Sequence, residues 1–190
     1  MTNKLKDLLR PIWHQYRRWK ARRPMPSETS KCRARLAKYC VGDGLDLGFG
    51  GDPVTDNAIR IDMPAQYGDV GRLKPQLTGD ASNLCWFRDG TLDYIFSSHL
   101  LEDFEDTKSV LVEWLRVLKP GGKLIIYCPD EQVYRAYCKK TGWHYNVHHK
   151  HADFSLKFVM DRLDSITRVS YLVANPSVDD YSWELVAVKP

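Results

Sequence analysis

The stretch that decides the fold is Gly44–Pro53, with the sequence GLDLGFGGDP. A short apolar run is followed there by a glycine-rich turn that carries Asp52. Strands that end in glycine turns are typical of nucleotide-binding α/β folds, because glycine lets the backbone approach a ligand closely. The stretch therefore predicts a first buried strand, 44–48, with a ligand loop after it. A turn that only reverses the chain is the alternative.

Strands and helices alternate along the rest of the chain. Short apolar runs predict further buried strands at residues 58–62, 92–98 and 123–129. Apolar residues at helical spacing predict helices over residues 28–40, 101–118, 131–140 and 152–163. Ser27, or alternatively Ser30, is expected to cap the first of these helices. Two closing strands, 166–174 and 181–189, have no helix between them and are expected to turn at Asn175–Pro176. This order predicts the α/β class: a Rossmann-like doubly wound sheet, mostly parallel with an antiparallel C-terminal edge strand.

The spacing after the glycine turn argues against a dinucleotide. Only eleven residues, 51–61, separate Gly50 from Asp62, and they include Pro53, so at most one helical turn fits there. We therefore expect a reduced helical layer after the first strand. Asp52 stands where a third phosphate-binding glycine would fall, and its charge would repel phosphate. The loop better suits a cofactor with a ribose and a positive charge, and Asp62 is placed to accept ribose hydroxyls.

Five segments then match a family pattern in order, from about residue 44 to about residue 128. They are LDLGFGG, IRID, GDASNL, LDYIFSSHLLEDFED and WLRVLKPGGKLIIYCP. With these segments the chain resembles the class I S-adenosylmethionine-dependent methyltransferases, of the small kind often labelled methyltransferase type 11. The resemblance implies an enzyme with S-adenosyl-L-methionine as its cofactor. The chain departs from the family in the missing helix after the first strand.

The resemblance also implies, by position, how the cofactor is held. Gly48 and Gly50 would pass beneath its methionine part, and Asp46 would support the loop and the amino group. Asp62 would hold the ribose hydroxyls, and Asp80 would contact the adenine amino group. The whole set of cofactor-binding residues that the resemblance implies is Asp46, Gly48, Phe49, Gly50, Asp62, Met63, Asp80, Ala81, Ser97 and Ser98.

Histidines are the candidate catalytic residues, because a hydroxyl nucleophile needs a base with a pKa near neutrality. His99 follows the fourth strand, beside the place where the resemblance puts the reactive methyl group. The segment 141–154 holds four of the six histidines, among them His148 and His149. A locally bonded helix-start histidine and a solvated polar loop are the respective alternatives. The spacing matches no zinc motif, so no metal is predicted.

Segment 141–154 also holds Trp143 and Tyr145, and it loosely resembles a segment of small methyltransferases associated with glycan assembly. The histidines, the aromatic residues and this resemblance lead us to expect O-methylation of a hydroxyl on a sugar, a glycan or another polar small molecule. An N-methyltransferase and a cofactor-binding module without turnover are the alternatives. Five cysteines without metal-type pairs indicate reduced thiols and a cytoplasmic protein. No apolar run reaches the roughly 20 residues of a membrane span, and we find no signal-peptide stretch.

The basic residues are concentrated at the N-terminus. Residues 1–40 carry a net charge of +10 and the remaining residues a net charge of −6. We expect basic N-terminal helices over 1–40, the first within about 20 residues, and a methyltransferase domain over 41–190. The helices could pack on the domain as a lid, contact an anionic membrane surface, or bind nucleic acid. The acidic body and the absence of a recognition motif argue against nucleic acid.

Overall fold

The computed structural model describes residues 27–64 and 73–190. Its strands are β1 (Gly44–Leu47), β2 (Ile59–Asp62), β3 (Leu77–Thr78), β4 (Leu92–Ser98), β5 (Leu118–Pro129), β6 (Ser170–Val178) and β7 (Ser182–Val188). Its α-helices are α1 (Glu28–Leu36), α2 (Thr107–Val117), α3 (Glu131–Thr141) and α4 (Leu156–Ile166). The helix predicted within the first 20 residues lies outside the described residues. No described helix is long and apolar enough to cross a membrane.

The described strands form one sheet in the order β3-β2-β1-β4-β5-β7-β6. Pairing is parallel from β3 through β5, whereas β7 runs antiparallel to both β5 and β6. This confirms the predicted fold class. The strand order reverses between β1 and β4, so their carboxyl ends open the crevice where ligands bind in doubly wound sheets.

The predicted turn at Asn175–Pro176 is wrong, because both residues lie inside β6. Asn175 pairs with Glu184 of β7, and its side-chain amide donates to the Glu184 carboxylate at 2.7 Å. The pairing register shifts between Asn175 and Val178, and a bulge on an edge strand tolerates the missing N–H of Pro176. The chain turns later, at Asp179, which adopts the left-handed conformation with φ 52°.

Side-chain caps explain where two helices begin later than predicted. The helix predicted over 101–118 is divided into a 3₁₀ turn at Leu101–Asp103 and α2, whose N-cap Asp106 accepts from the Ser109 amide. The helix predicted over 152–163 begins at Leu156, because Ser155 caps α4. Ser27 caps α1 as predicted, accepting a hydrogen bond from the Ser30 amide.

Each face of the sheet has its own apolar core. Helices α2 and α4 cover one face, which contains Ile95 and Ile126. The other face, with Phe96 and Ile125, has no helix from the β1–β2 connection and packs instead against Cys32 and Leu36 of α1 together with Val54 and Ala58. Helix α1 therefore replaces the helical layer that the short connection leaves out.

Candidate active site

The glycine loop after β1 takes backbone conformations that favour glycine. Gly48 and Gly50 have φ of 66° and 58°, in the left-handed region where side chains are strained. A Cβ on Gly48 would lie 2.9 Å from Leu100, whereas a Cβ on Gly50 would meet nothing within 4 Å. The loop therefore leaves open space above Gly50. Phe49, between these two glycines, is buried.

Asp62 ties this loop to the end of β2. Its carboxylate accepts a hydrogen bond from the Gly50 amide at 3.1 Å and another from the Met63 amide at 2.8 Å. Met63 itself is exposed. The aspartate that the sequence assigns to a ribose thus lies within hydrogen-bond reach of the loop predicted to carry the methionine part.

Asp46, in β1, is a fully buried carboxyl group. One oxygen accepts from the Val54 amide at 2.6 Å, so the side chain supports the loop. The other oxygen is buried and has no hydrogen-bond partner among the described residues. Burial raises the pKa of Asp46 to about 8, because the site removes water from the charged form. An ammonium group placed at this oxygen would satisfy it, so the residue fits a cationic ligand.

The other predicted cofactor residues surround the same crevice at the ends of β3 and β4. Asp80 is exposed, with one oxygen accepting from the Ser82 amide at 2.8 Å. The Ala81 carbonyl is occupied by the Trp114 indole N–H at 2.8 Å. Ser97 donates to the Leu47 carbonyl at 3.4 Å, while the Ser98 hydroxyl is buried without a partner in the described structure. Asp46 and Ser98 thus both hold buried polar atoms that a ligand could satisfy.

His99 begins the loop after β4 in a strained backbone conformation, with φ 51°. Its amide donates to the Tyr127 carbonyl at 2.8 Å, which fixes the backbone beside β5. Its ring is 16% exposed, and Nε2 lies 3.3 Å from both the Ser182 hydroxyl and the Glu28 carboxylate. Burial lowers the pKa of His99 to about 4, below the near-neutral value expected of a general base. The imidazole is therefore neutral at physiological pH and free to accept a proton, but it is a weak base in this buried environment.

The two other candidate histidines occupy different environments. The His149 ring is 3% exposed, with Nδ1 2.7 Å from a Glu131 carboxylate oxygen and Nε2 3.8 Å from Glu102. His148 is exposed, and its backbone amide donates to the Asn146 side chain at 3.0 Å. The structure therefore brings His99 and His149 together around Glu102, and His149 is enclosed between two carboxyl groups.

Glu28, Glu102 and Glu131 form a cluster with His99 and His149. Sequence reasoning missed two of these glutamates, Glu28 and Glu131. Glu28 comes from α1, and nothing in the sequence connects it with His99, 71 positions later. Glu131 is fully buried and receives hydrogen bonds from Arg135 at 2.7 Å and from the Tyr145 hydroxyl. Glu131 stands in the first turn of a predicted helix, where an acidic residue is common because it interacts favourably with the helix dipole. The sequence therefore gives little indication that Glu131 belongs to the site. No group of three or more ligating side chains within residues 27–64 and 73–190 is arranged to hold a metal ion.

Helix α1 also contacts the glycine loop. Asp52 accepts hydrogen bonds from the Ser27 hydroxyl and from the Arg33 guanidinium, the latter at 2.5 Å. Asp52, whose charge argues against a phosphate ligand in the sequence, is therefore a contact point for α1. Helix α1 thus contacts both the glycine loop, at Asp52, and the candidate base His99.

Comparisons with known proteins concern the domain and the fold. Residues 56–126 match the type 11 family model described as a methyltransferase domain. No curated protein has a matching sequence.

Three solved structures illustrate the shared fold. The PH0226 protein of Pyrococcus horikoshii is 18% identical with a TM-score of 0.65, over 90% of this chain and 99% of that one. A SAM-dependent methyltransferase of Thermotoga maritima, described as a possible histamine N-methyltransferase, is 18% identical with a TM-score of 0.61, over 97% and 99%. A chain from the Haloferax volcanii complex that contains the Trm112 methyltransferase activator is 16% identical with a TM-score of 0.62, over 84% and 89%.

Proposed function

We propose that this chain is a class I S-adenosylmethionine-dependent methyltransferase that methylates a hydroxyl group of a sugar, a glycan or another polar small molecule. The match of residues 56–126 to the type 11 methyltransferase domain, and the fold shared with solved methyltransferases, support the reaction class. The observation that carries the choice of a hydroxyl is His99. A hydroxyl must lose its proton as it attacks, and a neutral histidine beside the cofactor crevice is the group that can take it. An amine that is already neutral needs no such base before it attacks.

The residues of the crevice fit the cofactor. Asp46 would hold its ammonium group, Asp62 would hold the ribose hydroxyls, and Asp80 would receive the adenine amino group. Gly48 and Gly50 would lie beneath the methionine part, with Ser97 and Ser98 beside them. When bound, S-adenosylmethionine supplies a methyl group on a cationic sulfur, and an acceptor oxygen that attacks the methyl carbon in line displaces the sulfur. The chain contributes by positioning the acceptor and by taking its proton at His99.

A row of aromatic side chains supports the proposal that the acceptor contains a sugar ring. Trp143 is 45% exposed, and its ring contacts Tyr137 at a centroid distance of 6.1 Å. Tyr137 contacts Tyr181 at 5.0 Å, and Tyr181 contacts His99 at 6.0 Å. A row of rings therefore leads from the protein surface to the proposed base. Aromatic faces bind the apolar faces of sugar rings, and Trp143 offers an exposed face of this kind at the outer end of the row.

The contacts of α1 support the lid interpretation of the basic N-terminus. Lys31 donates to the Tyr181 hydroxyl at 3.2 Å, and Arg35 pairs with Asp179 at 2.7 Å and with Glu184 at 2.8 Å. The basic side chains of this helix are thus engaged with the methyltransferase body. We propose on this basis that α1 acts as part of the catalytic unit.

Cofactor binding near pH 7 should release about one proton from Asp46. The free carboxyl, with its pKa of about 8, is mostly protonated below that pH, and a cationic ligand favours the carboxylate. Calorimetry in two buffers with different ionisation enthalpies measures the released protons. Asp46→Asn should remove this release and leave only the contribution of the cofactor's own amino group. Equal proton release by the two proteins would contradict the assignment.

Transfer from cofactor with a tritiated methyl group tests the proposed reaction. The acceptors are a panel of sugars, glycan fractions and small alcohols, matched with amines of similar size. We expect label in hydroxyl acceptors and little label in the amines. Label confined to amines would overturn the choice of a hydroxyl, and cofactor binding without transfer to any acceptor would favour a binding module.

A further inference from the structure

We propose that Glu28 is a positioning residue for His99: its carboxylate, 3.3 Å from Nε2, keeps the ring proton on that nitrogen and so leaves Nδ1 as the nitrogen that takes the acceptor proton. The proposal rests on the proposed role of His99 as the base. It also assigns α1 a part in the reaction, because it supplies the carboxylate from outside the strands that build the cofactor crevice.

Glu28 is held in place by several partners. Lys31 donates to both of its carboxylate oxygens at 2.8 Å, and the Tyr181 hydroxyl donates to one of them at 2.8 Å. The other oxygen, Oε2, lies 3.3 Å from His99 Nε2. Burial alone would raise the pKa of Glu28, but interactions with His99, Lys31 and Tyr181 lower it. Glu28 is therefore ionised and can only accept hydrogen bonds.

The hydrogen-bond inventory then determines the tautomer of His99. A neutral imidazole carries its proton on one nitrogen, and the nitrogen that faces a carboxylate is the one that donates. Nε2 lies 3.3 Å from both ionised Glu28 and the Ser182 hydroxyl. The hydroxyl can donate or accept, whereas the carboxylate can only accept, so the charge of Glu28 places the proton on Nε2 and the lone pair on Nδ1. Nδ1 lies 3.7 Å from Glu102, whose pKa is raised well above its ordinary value because the carboxyl is fully buried. The neutral carboxyl of Glu102 carries no negative charge that would draw the ring proton of His99 from Nε2 to Nδ1.

The charge of Glu28 also serves the imidazolium that forms after proton transfer. Burial lowers the pKa of His99, the negative charge of Glu28 opposes that shift, and Lys31 and His149 reinforce it. The polar and titratable groups that face the ring from its neighbours are Glu28, Lys31, Glu102, Tyr127, His149, Tyr181 and Ser182. Among them the negative charge of Glu28 is the nearest to the ring, so its removal should disfavour the protonated base.

The experiment compares Glu28→Ala and Glu28→Gln with Glu105→Gln in the full chain. Glu105 is a matched control because its side chain is 85% exposed and lies outside the cluster. Nitrogen-15 NMR of the histidine rings reports the tautomer and the pKa, and His99→Asn identifies the His99 signals among the six histidines. Cofactor affinity and methyl transfer are measured on the same samples.

In the wild type and in Glu105→Gln we expect His99 with its proton on Nε2. Glu28→Gln should keep this tautomer, because the amide oxygen still accepts, but should lower the pKa of His99. Glu28→Ala should lose the tautomer preference and about tenfold or more of the turnover, while cofactor affinity changes less than about twofold. Glu28→Gln, of equal size, also serves if Glu28→Ala fails to fold.

His99 ring signals in Glu28→Ala that match the wild type would overturn the proposal, even if His99→Asn abolishes turnover. Full turnover in His99→Asn would instead overturn the proposed role of His99, and the catalytic part of this proposal with it. The two failures are distinguishable because the ring spectrum needs no acceptor.

Discussion

Asp62→Ala is expected to weaken S-adenosylmethionine binding about tenfold or more. The substitution removes the carboxylate proposed to hold the ribose hydroxyls, and hydrogen bonds to charged groups contribute about 1.5–3 kcal/mol each. It also removes the acceptor for the Gly50 amide, 3.1 Å away, so the glycine loop loses its connection to β2. Isothermal titration calorimetry with the cofactor measures the effect directly.

Two further variants separate the ribose contact from a general effect on the loop. Asp62→Asn retains an acceptor for the Gly50 amide and should lose less affinity than Asp62→Ala. Asp56→Ala is the matched control, because Asp56 is exposed in the same connection between β1 and β2. Unchanged affinity in Asp62→Ala would remove Asp62 from the cofactor site.

His99→Asn is expected to lower turnover by about 10²- to 10⁴-fold, the usual contribution of a general base. Asparagine suits this test because it tolerates the left-handed backbone of His99, with φ 51°, better than most residues. Cofactor affinity and thermal stability should therefore stay close to the wild type. Single-turnover methyl transfer at saturating cofactor measures the loss, and turnover equal to the wild type would exclude His99 as the base.

The pH dependence of turnover follows from the same histidine. A base acts in its neutral form, and burial lowers the pKa of His99 to about 4. Protonation of His99 should therefore not reduce the rate between about pH 8 and pH 5, and the rate should fall only as the pH passes below that range. In Glu28→Gln the fall should move to lower pH, since the charge that favours the imidazolium is gone.

The sequence predicted the fold through local patterns. The glycine turn after β1, the alternating strands and the cap at Ser27 each specify their own structure, so the mostly parallel sheet and its antiparallel end are confirmed. The turn at Asn175–Pro176 failed because a bulge on an edge strand can accommodate proline, which sequence patterns do not distinguish from a turn.

The site was predictable only where it follows the strand ends. Asp46, Asp62 and His99 lie in or directly after strands that the sequence predicts, so the family resemblance could assign roles to them in advance. Glu28 and Glu131 reach the cluster through tertiary packing, and Glu28 lies on a helix that replaces the missing layer of the fold. Such contacts depend on where α1 docks, and no periodicity or spacing in the sequence specifies that.

The most direct measurement is to locate the transferred methyl group. The protein is incubated with S-adenosylmethionine that carries a deuterated methyl group, and the acceptor is analysed by mass spectrometry and NMR. We predict a methyl ether on a hydroxyl oxygen with the wild type and with Glu105→Gln, and almost none with His99→Asn. A methyl group on nitrogen, or an ether formed equally well by His99→Asn, would contradict an O-methyltransferase with His99 as its base.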